Sequence, residues 1–144
     1  MNRDRDAHGF VVLDRQACLE RLSLRRVASL AITEHALPIV LPALYMLKGD
    51  DILVGASRTG ILGRCLPDSV VSLCVHDLDD DLLNGWTVTV TGLAEVVTSP
   101  ADLAAAAELR RWGAGEAPQV VVRIGTEHIS GRLIHASHAA SSSD

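Results

Sequence analysis

Gly85-Trp86-Thr87-Val88-Thr89-Val90-Thr91-Gly92-Leu93-Ala94-Glu95-Val96-Val97 opens with apolar and hydroxyl side chains in strict alternation. Trp86, Val88 and Val90 fall on one side and Thr87, Thr89 and Thr91 on the other. That is the period of a strand with one buried face, built from residue types that fit a pleated surface. Gly92 interrupts the run, and Ala94, Val96 and Val97 carry the apolar character onward. A long strand with a glycine at its middle is expected where a sheet bends to close a barrel.

The chain on either side supplies the partners. Ser69 to His76 reads as a strand, with Asp77 to Asn84 as an acidic loop behind it. Val27 to Thr33, Leu37 to Leu47 and Ile52 to Ala56 read as three more. Pro38 and Pro42 lie inside the second of these, which confines them to an edge or a bulge. Lys48-Gly49-Asp50-Asp51 is a hairpin turn, with Gly49 free to take a positive φ. Asp14 caps a helix to Leu24 that carries Cys18, Leu19 and Leu22 at helical spacing. Ser57 to Leu66 is a polar link with a short helix, and Ser99-Pro100 starts a helix running to about Trp112. A glycine-rich link, Gly113 to Pro118, leads to strands at Gln119–Ile124 and Ile129–Ile134. Six or seven strands joined mostly by hairpins predict a mainly β fold, an antiparallel β-barrel with peripheral helices.

A length of 144 residues is one domain, read as 12–134 between a flexible segment 1–11 and a disordered tail 135–144. Hydrophobic residues make up 48%, yet the aromatics are only Phe10, Tyr45, Trp86 and Trp112, so the core is aliphatic. Net charge is −5 with no basic face, which argues against nucleic acid. Cys18, Cys65 and Cys74 share no metal spacing; Cys18 and Cys74 read as small buried hydrophobes. Their odd number and the absence of a leader pattern make the cytoplasm the expected compartment. No apolar run approaches the ~18 residues of a membrane span. The cluster from His76 to Asp81 lacks the glycine and glutamate of a calcium loop, and the scattered histidines lack zinc spacing, so no metal is expected. No nucleophile elbow is present.

Particular letters say more than the periodicity does. Gly85, Trp86, Gly92, Ala94 and Glu95 are joined, in order, by Leu24-Arg25-Arg26-Val27-Ala28, Pro38-Ile39-Val40-Leu41-Pro42 and Lys48-Gly49-Asp50-Asp51. Trp112-Gly113-Ala114-Gly115, Val122-Arg123-Ile124 and Ser130-Gly131-Arg132 follow toward the C-terminus. Across residues 12–134 the chain resembles the actinobacterial branch of the pyridoxamine 5'-phosphate oxidase-like proteins, the flavin-binding split barrels.

The resemblance implies a six- to seven-stranded split barrel, a homodimer with a flavin, usually FMN, in two clefts at the subunit interface. Relatives use a deazaflavin coenzyme or no cofactor. It places the backbone of Pro42, Ala43, Leu44 and Tyr45 near the isoalloxazine, and Ala56, Ser57, Arg58, Thr59 and Gly60 around the ribityl phosphate. Ser57 and Thr59 offer hydroxyls there, Arg58 and Arg64 offer charge, and Gly60 admits an anion to backbone N–H groups. Family members carry a lysine after that glycine and Asn-Tyr or Asn-Phe after the second proline; this chain has Ile61-Leu62 and Leu44-Tyr45. Trp86 either stacks beside the ring or fills one end of the barrel. The implied activity is flavin-dependent oxidation or reduction of a small organic molecule, for which no single catalytic side chain is required. The alternative is a flavin-free or deazaflavin-binding relative acting as a binding or interaction module.

Overall fold

In the computed structural model, which describes residues 5–81, 83–111 and 118–135, the first half of the chain runs β1 (Val11–Leu13), α1 (Arg15–Leu22), β2 (Val27–Glu34), β3 (Leu37–Lys48), β4 (Asp51–Ala56) and α2 (Ile61–Cys65). β5 (Val70–Asp79), β6 (Asn84–Val96), α3 (Pro100–Ala106), a 3-10 helix (Ala107–Arg111), β7 (Val120–Ile124) and β8 (His128–Ile134) follow.

Every strand pairing is antiparallel. β6 organises them. One of its edges lies along β5, from Val70↔Leu93 to Asp79↔Asn84. The other meets β8 from Gly85 to Thr91 and β7 from Ala94 to Val96. Gly92 sits where that edge changes partner, as expected of a bending strand, and a Cβ there would lie 3.4 Å from Gly125 O and Ile124 Cγ2. The neighbours β6, β5, β2, β3, β4 and β7 return to β6, so six strands close into a barrel. β8 and β1 extend the sheet beyond it, which makes eight strands among the described residues where six or seven are expected. The additional one, β1, is three residues long, too short for a period of two to register.

Leu30, Leu73, Val88, Val90, Ile52, Val54, Val122 and Ile124 fill the barrel, and Cys18 and Leu22 of α1 pack into the same core. Outside it, Ala106 of α3 and Leu109 of the 3-10 turn cover Leu53, Val97 and Val121. Arg15 locks one end: it donates to Thr126 O at 2.5 Å and Oγ1 at 2.9 Å, and the buried Thr126 hydroxyl donates to Asp50 O at 2.7 Å.

Local chemistry explains most boundaries. Asp14 caps α1 through Ala17 N at 2.8 Å, and Ser99 caps α3 with Pro100 in its first turn. Gly49 takes φ 61° between the paired Lys48 and Asp51. Pro38 and Pro42 fall in Leu37–Leu44, which pairs with β2 alone; β4 joins β3 only from Tyr45 onward.

Four expectations need correction. Asp77-Leu78-Asp79 is strand, because β6 continues opposite it to Asn84, and of the described loop residues only Asp80, Asp81 and Leu83 remain as a turn. α1 stops at Leu22, and the chain turns there, with Leu24 N donating to Arg21 O, before β2 begins at Val27. Cys74 is only half-buried, because its β5 position points to the hydroxyl face, 3.4 Å from Thr87 Oγ1. The helix from Pro100 tightens to 3-10 at Ala107. Trp112, the Trp112–Gly115 motif, His138 and the tail beyond His135 lie outside the described residues. Within residues 5–10, Asp6 accepts hydrogen bonds from His8 N and Phe10 N. None of the described helices is long and apolar enough to cross a membrane.

Candidate functional site

The barrel opens where β3 leaves β2 for β4. Tyr45 donates its N–H to Arg26 O, so Leu41 and Ala43 direct their backbone groups to β2, and Pro42 and Leu44 direct theirs to the free edge. Proline at that edge leaves no unpaired donor. β4 runs out at Ala56 on the far side of the gap, and the 57–60 loop turns back over it into α2.

The gap holds a cavity of about 590 Å³, within the range of small-molecule sites. Leu41, Pro42, Ala43 and Leu44 make one wall, and Gly55, Ala56 and Ser57 the other. Gly60, Ile61 and Leu62 close one end, and Leu109, Pro118 and Gln119 the side. Most of this lining is apolar, and among the described residues no carboxylate takes part. Its polar groups gather around Ser57, so the cavity suits a flat apolar ring with a polar, anionic tail.

Glycine is required at two positions here. A Cβ on Gly55 would come within 2.7 Å of Pro118 Cβ, and one on Gly63 within 2.0 Å of Ser57 O. The loop therefore rests directly on α2. At Gly60 an added Cβ would find only ordinary contacts, at 3.7 Å and beyond.

Pro42, Ala43, Leu44, Ala56, Ser57 and Gly60 all line the cavity. Arg58 and Thr59 stand on the exposed side of the loop, and the Arg58 guanidinium has no partner among the described residues. Arg64 is engaged elsewhere, with Glu34 at 3.0 Å and Thr59 O at 3.1 Å. That hydrogen bond from Arg64, with a second from the Cys65 thiol, holds the Glu34 carboxyl below the usual range. Burial, then Glu34 itself, pushes the Cys65 thiol up. Tyr45 turns inward: it is 1% exposed, donates its hydroxyl to Leu22 O at 2.5 Å, and has its phenol pushed far up by burial.

Trp86 stands away from the cavity. It packs partly against the core, with the Arg25 guanidinium 5.9 Å from its ring centroid and also paired with Asp77 across the strand.

Gly55, Gly63, Leu109 and Gln119 carry no local sequence signal for the site. Leu109 and Gln119 arrive there through the pairing of β7 with β4 and the packing of α3 outside the sheet, and Gly63 lies on α2 against Ser57 O. Asp102 fixes α3 through Lys48 and through Arg123 at 3.6 Å, which sets Leu109 against the cavity. Among the described residues no three His, Cys, Asp or Glu side chains group to hold a metal.

A family model described as pyridoxamine 5'-phosphate oxidase matches residues 14–133. The chain is 30% identical over 136 residues to the uncharacterized protein Rv0080 of Mycobacterium tuberculosis, covering 90% of this chain and 89% of that one. Among solved structures it is similar to an FAD binding protein from Mycobacterium smegmatis, with a TM-score of 0.72, 23% identity, and 87% and 98% of the two chains covered. It is also similar to an FAD-binding protein from Mesorhizobium loti, with a TM-score of 0.68, 22% identity, and 89% and 100% covered. Both likenesses are of fold.

Proposed function

Because the chain belongs to the pyridoxamine 5'-phosphate oxidase family, we propose that it binds a flavin, FMN, between β3 and β4 and uses it to oxidise or reduce a small organic molecule. The observation that carries this reading is the cavity itself, with an apolar wall at Leu41–Leu44 and its polar groups around Ser57. The wall suits an isoalloxazine ring, and backbone groups of Pro42 and Leu44 turn to the free edge beside it. The Ser57 hydroxyl and the unpartnered Arg58 guanidinium suit a ribityl phosphate. The flavin supplies the hydride and electron chemistry when bound. The chain's part is to grip and orient the ring and to keep water from one of its faces.

A second copy of the chain completes this reading. Val27, Val40, Val70 and Leu93 share the outer face of β2, β3, β5 and β6 and stand 47%, 64%, 69% and 48% exposed. Pro42 and Leu44 of the cavity wall belong to the same face, so a partner seated there would border the cleft. Sedimentation velocity is expected to give a dimer, and a monomer at all concentrations would remove the partner.

Titration with FMN, followed by flavin fluorescence, tests the cofactor. Saturable binding of one flavin per chain is expected, weakened by Arg58→Ala. The second reading, a flavin-free module, is favoured by Ile61 after Gly60 and by Arg64 being held on Glu34. A colourless protein that binds neither FMN nor a deazaflavin would establish it.

A further inference from the structure

The side wall of the cleft belongs to an element with little apolar grip of its own. α3 has seven residues, fewer than the roughly 12–15 that an isolated helix needs for even marginal stability in water. Ala104, Ala105 and Ala106 offer only methyl groups, and Leu103 is 43% exposed. Of the described side chains in α3 and the 3-10 turn, only Ala106 and Leu109 are buried, against Leu53, Val97 and Val121.

Charge holds the other end. Asp102, in the first turn of α3, is ion-paired with Lys48 at the end of β3 and with Arg123 of β7 at 3.6 Å. Its side chain is 13% exposed, against 40% for either cation. Arg123 also reaches Asp51 and Glu95, each at 3.9 Å, so the barrel itself orients the guanidinium. One carboxylate thus ties α3 to two strands.

The residue this tie places is Leu109. It lines the cavity, and its Cδ1 would lie 3.4 Å from a Cβ on Gly55 in the β4 wall. Leu44 of the β3 wall packs against the same outer cluster. Leu109 therefore stands across the split between β3 and β4, on its outer side.

We propose that Asp102 is a positioning residue of the cleft: through α3 it holds Leu109 across the split and so shields the ring of a bound flavin from water. This rests on the flavin reading and adds to it a residue outside the cavity lining.

The test measures FMN affinity and the visible absorption of the bound flavin, whose vibronic shoulders are smoothed by water. Leu109→Ala is expected to weaken FMN about 10-fold, the worth of roughly two lost methylene contacts. Asp102→Asn and Lys48→Met should approach that loss and smooth the shoulders, whereas Asp102→Glu should keep both near the wild type. Asp102→Asn and Lys48→Met change the net charge in opposite directions, so a common loss cannot come from attraction to the phosphate. Because Asp102 acts through Leu109, Asp102→Asn combined with Leu109→Ala should bind no more weakly than Leu109→Ala alone. Circular dichroism identifies a misfolded variant, and Lys48→Met serves in the same comparison if Asp102→Asn is one. Additive losses, or unchanged affinity and spectrum in Asp102→Asn and Lys48→Met, would overturn the proposal. A wild type that binds no FMN would instead overturn the flavin reading itself.

Discussion

The Tyr45 hydroxyl donates a 2.5 Å hydrogen bond to the carbonyl oxygen of Leu22, tying β3 to the last turn of α1 at the point where β3 changes partner. The bond is buried and closes the barrel beneath the cleft wall. The phenol is thereby committed to the core, and the Tyr45 backbone is taken up by Arg26 O and by the pairing with Val54.

Tyr45→Phe is expected to lower stability by about 1 kcal/mol, the net worth of one buried neutral hydrogen bond. The shift would be read as a lower urea midpoint at constant m-value. FMN affinity should not change. An unchanged midpoint with weakened FMN binding would mean that the hydroxyl serves the ligand.

Gly63 and Gly60 should respond differently to alanine. At Gly63 the added methyl would meet Ser57 O at 2.0 Å, so the loop must lift from α2. A loss of about 1–3 kcal/mol is expected, as for overpacking elsewhere, together with weaker FMN binding. At Gly60, with φ −82° and only ordinary contacts, alanine should change stability by less than about 0.5 kcal/mol. Thermal melts of the two variants check this, and equal loss in both would contradict it.

The Glu34–Arg64 pair predicts a pH dependence of definite sign. Glu34 is depressed in the folded chain by Arg64, so the pair contributes fully above the ordinary value of 4.5 and is lost as pH falls through the folded value. Glu34→Gln removes this dependence. The gap in unfolding midpoint between wild type and Glu34→Gln should be widest near neutrality and narrow below pH 4.5. A gap that stays constant through that range would contradict the assignment.

Much of the barrel is written in residues that act locally. The Trp86–Thr91 alternation, Gly92 at the change of partner, Gly49 in its turn and Ser99 before Pro100 each do in the structure what their chemistry suggests. Asp77 and Asp79 do not, because their polarity suits a loop and only the opposing run of β6 draws them into a strand. The cavity lining is legible in the sequence where it lies in continuous segments, at Pro42–Leu44 and at Ala56, Ser57 and Gly60, while Arg58 and Thr59 of the same loop fall outside it. Gln119 and Leu109 are far from these in sequence, and ring closure alone brings them to Ser57 and Leu44. Gly63 was hidden for a related reason: the contact that demands glycine is with Ser57 O, across the loop.

The most direct test is a crystal structure of the protein grown with FMN. The ring is expected against Pro42, Ala43 and Leu44, with the phosphate within hydrogen-bond distance of Ser57. Flavin density at any other place, or an empty cleft at saturating FMN, would contradict the account.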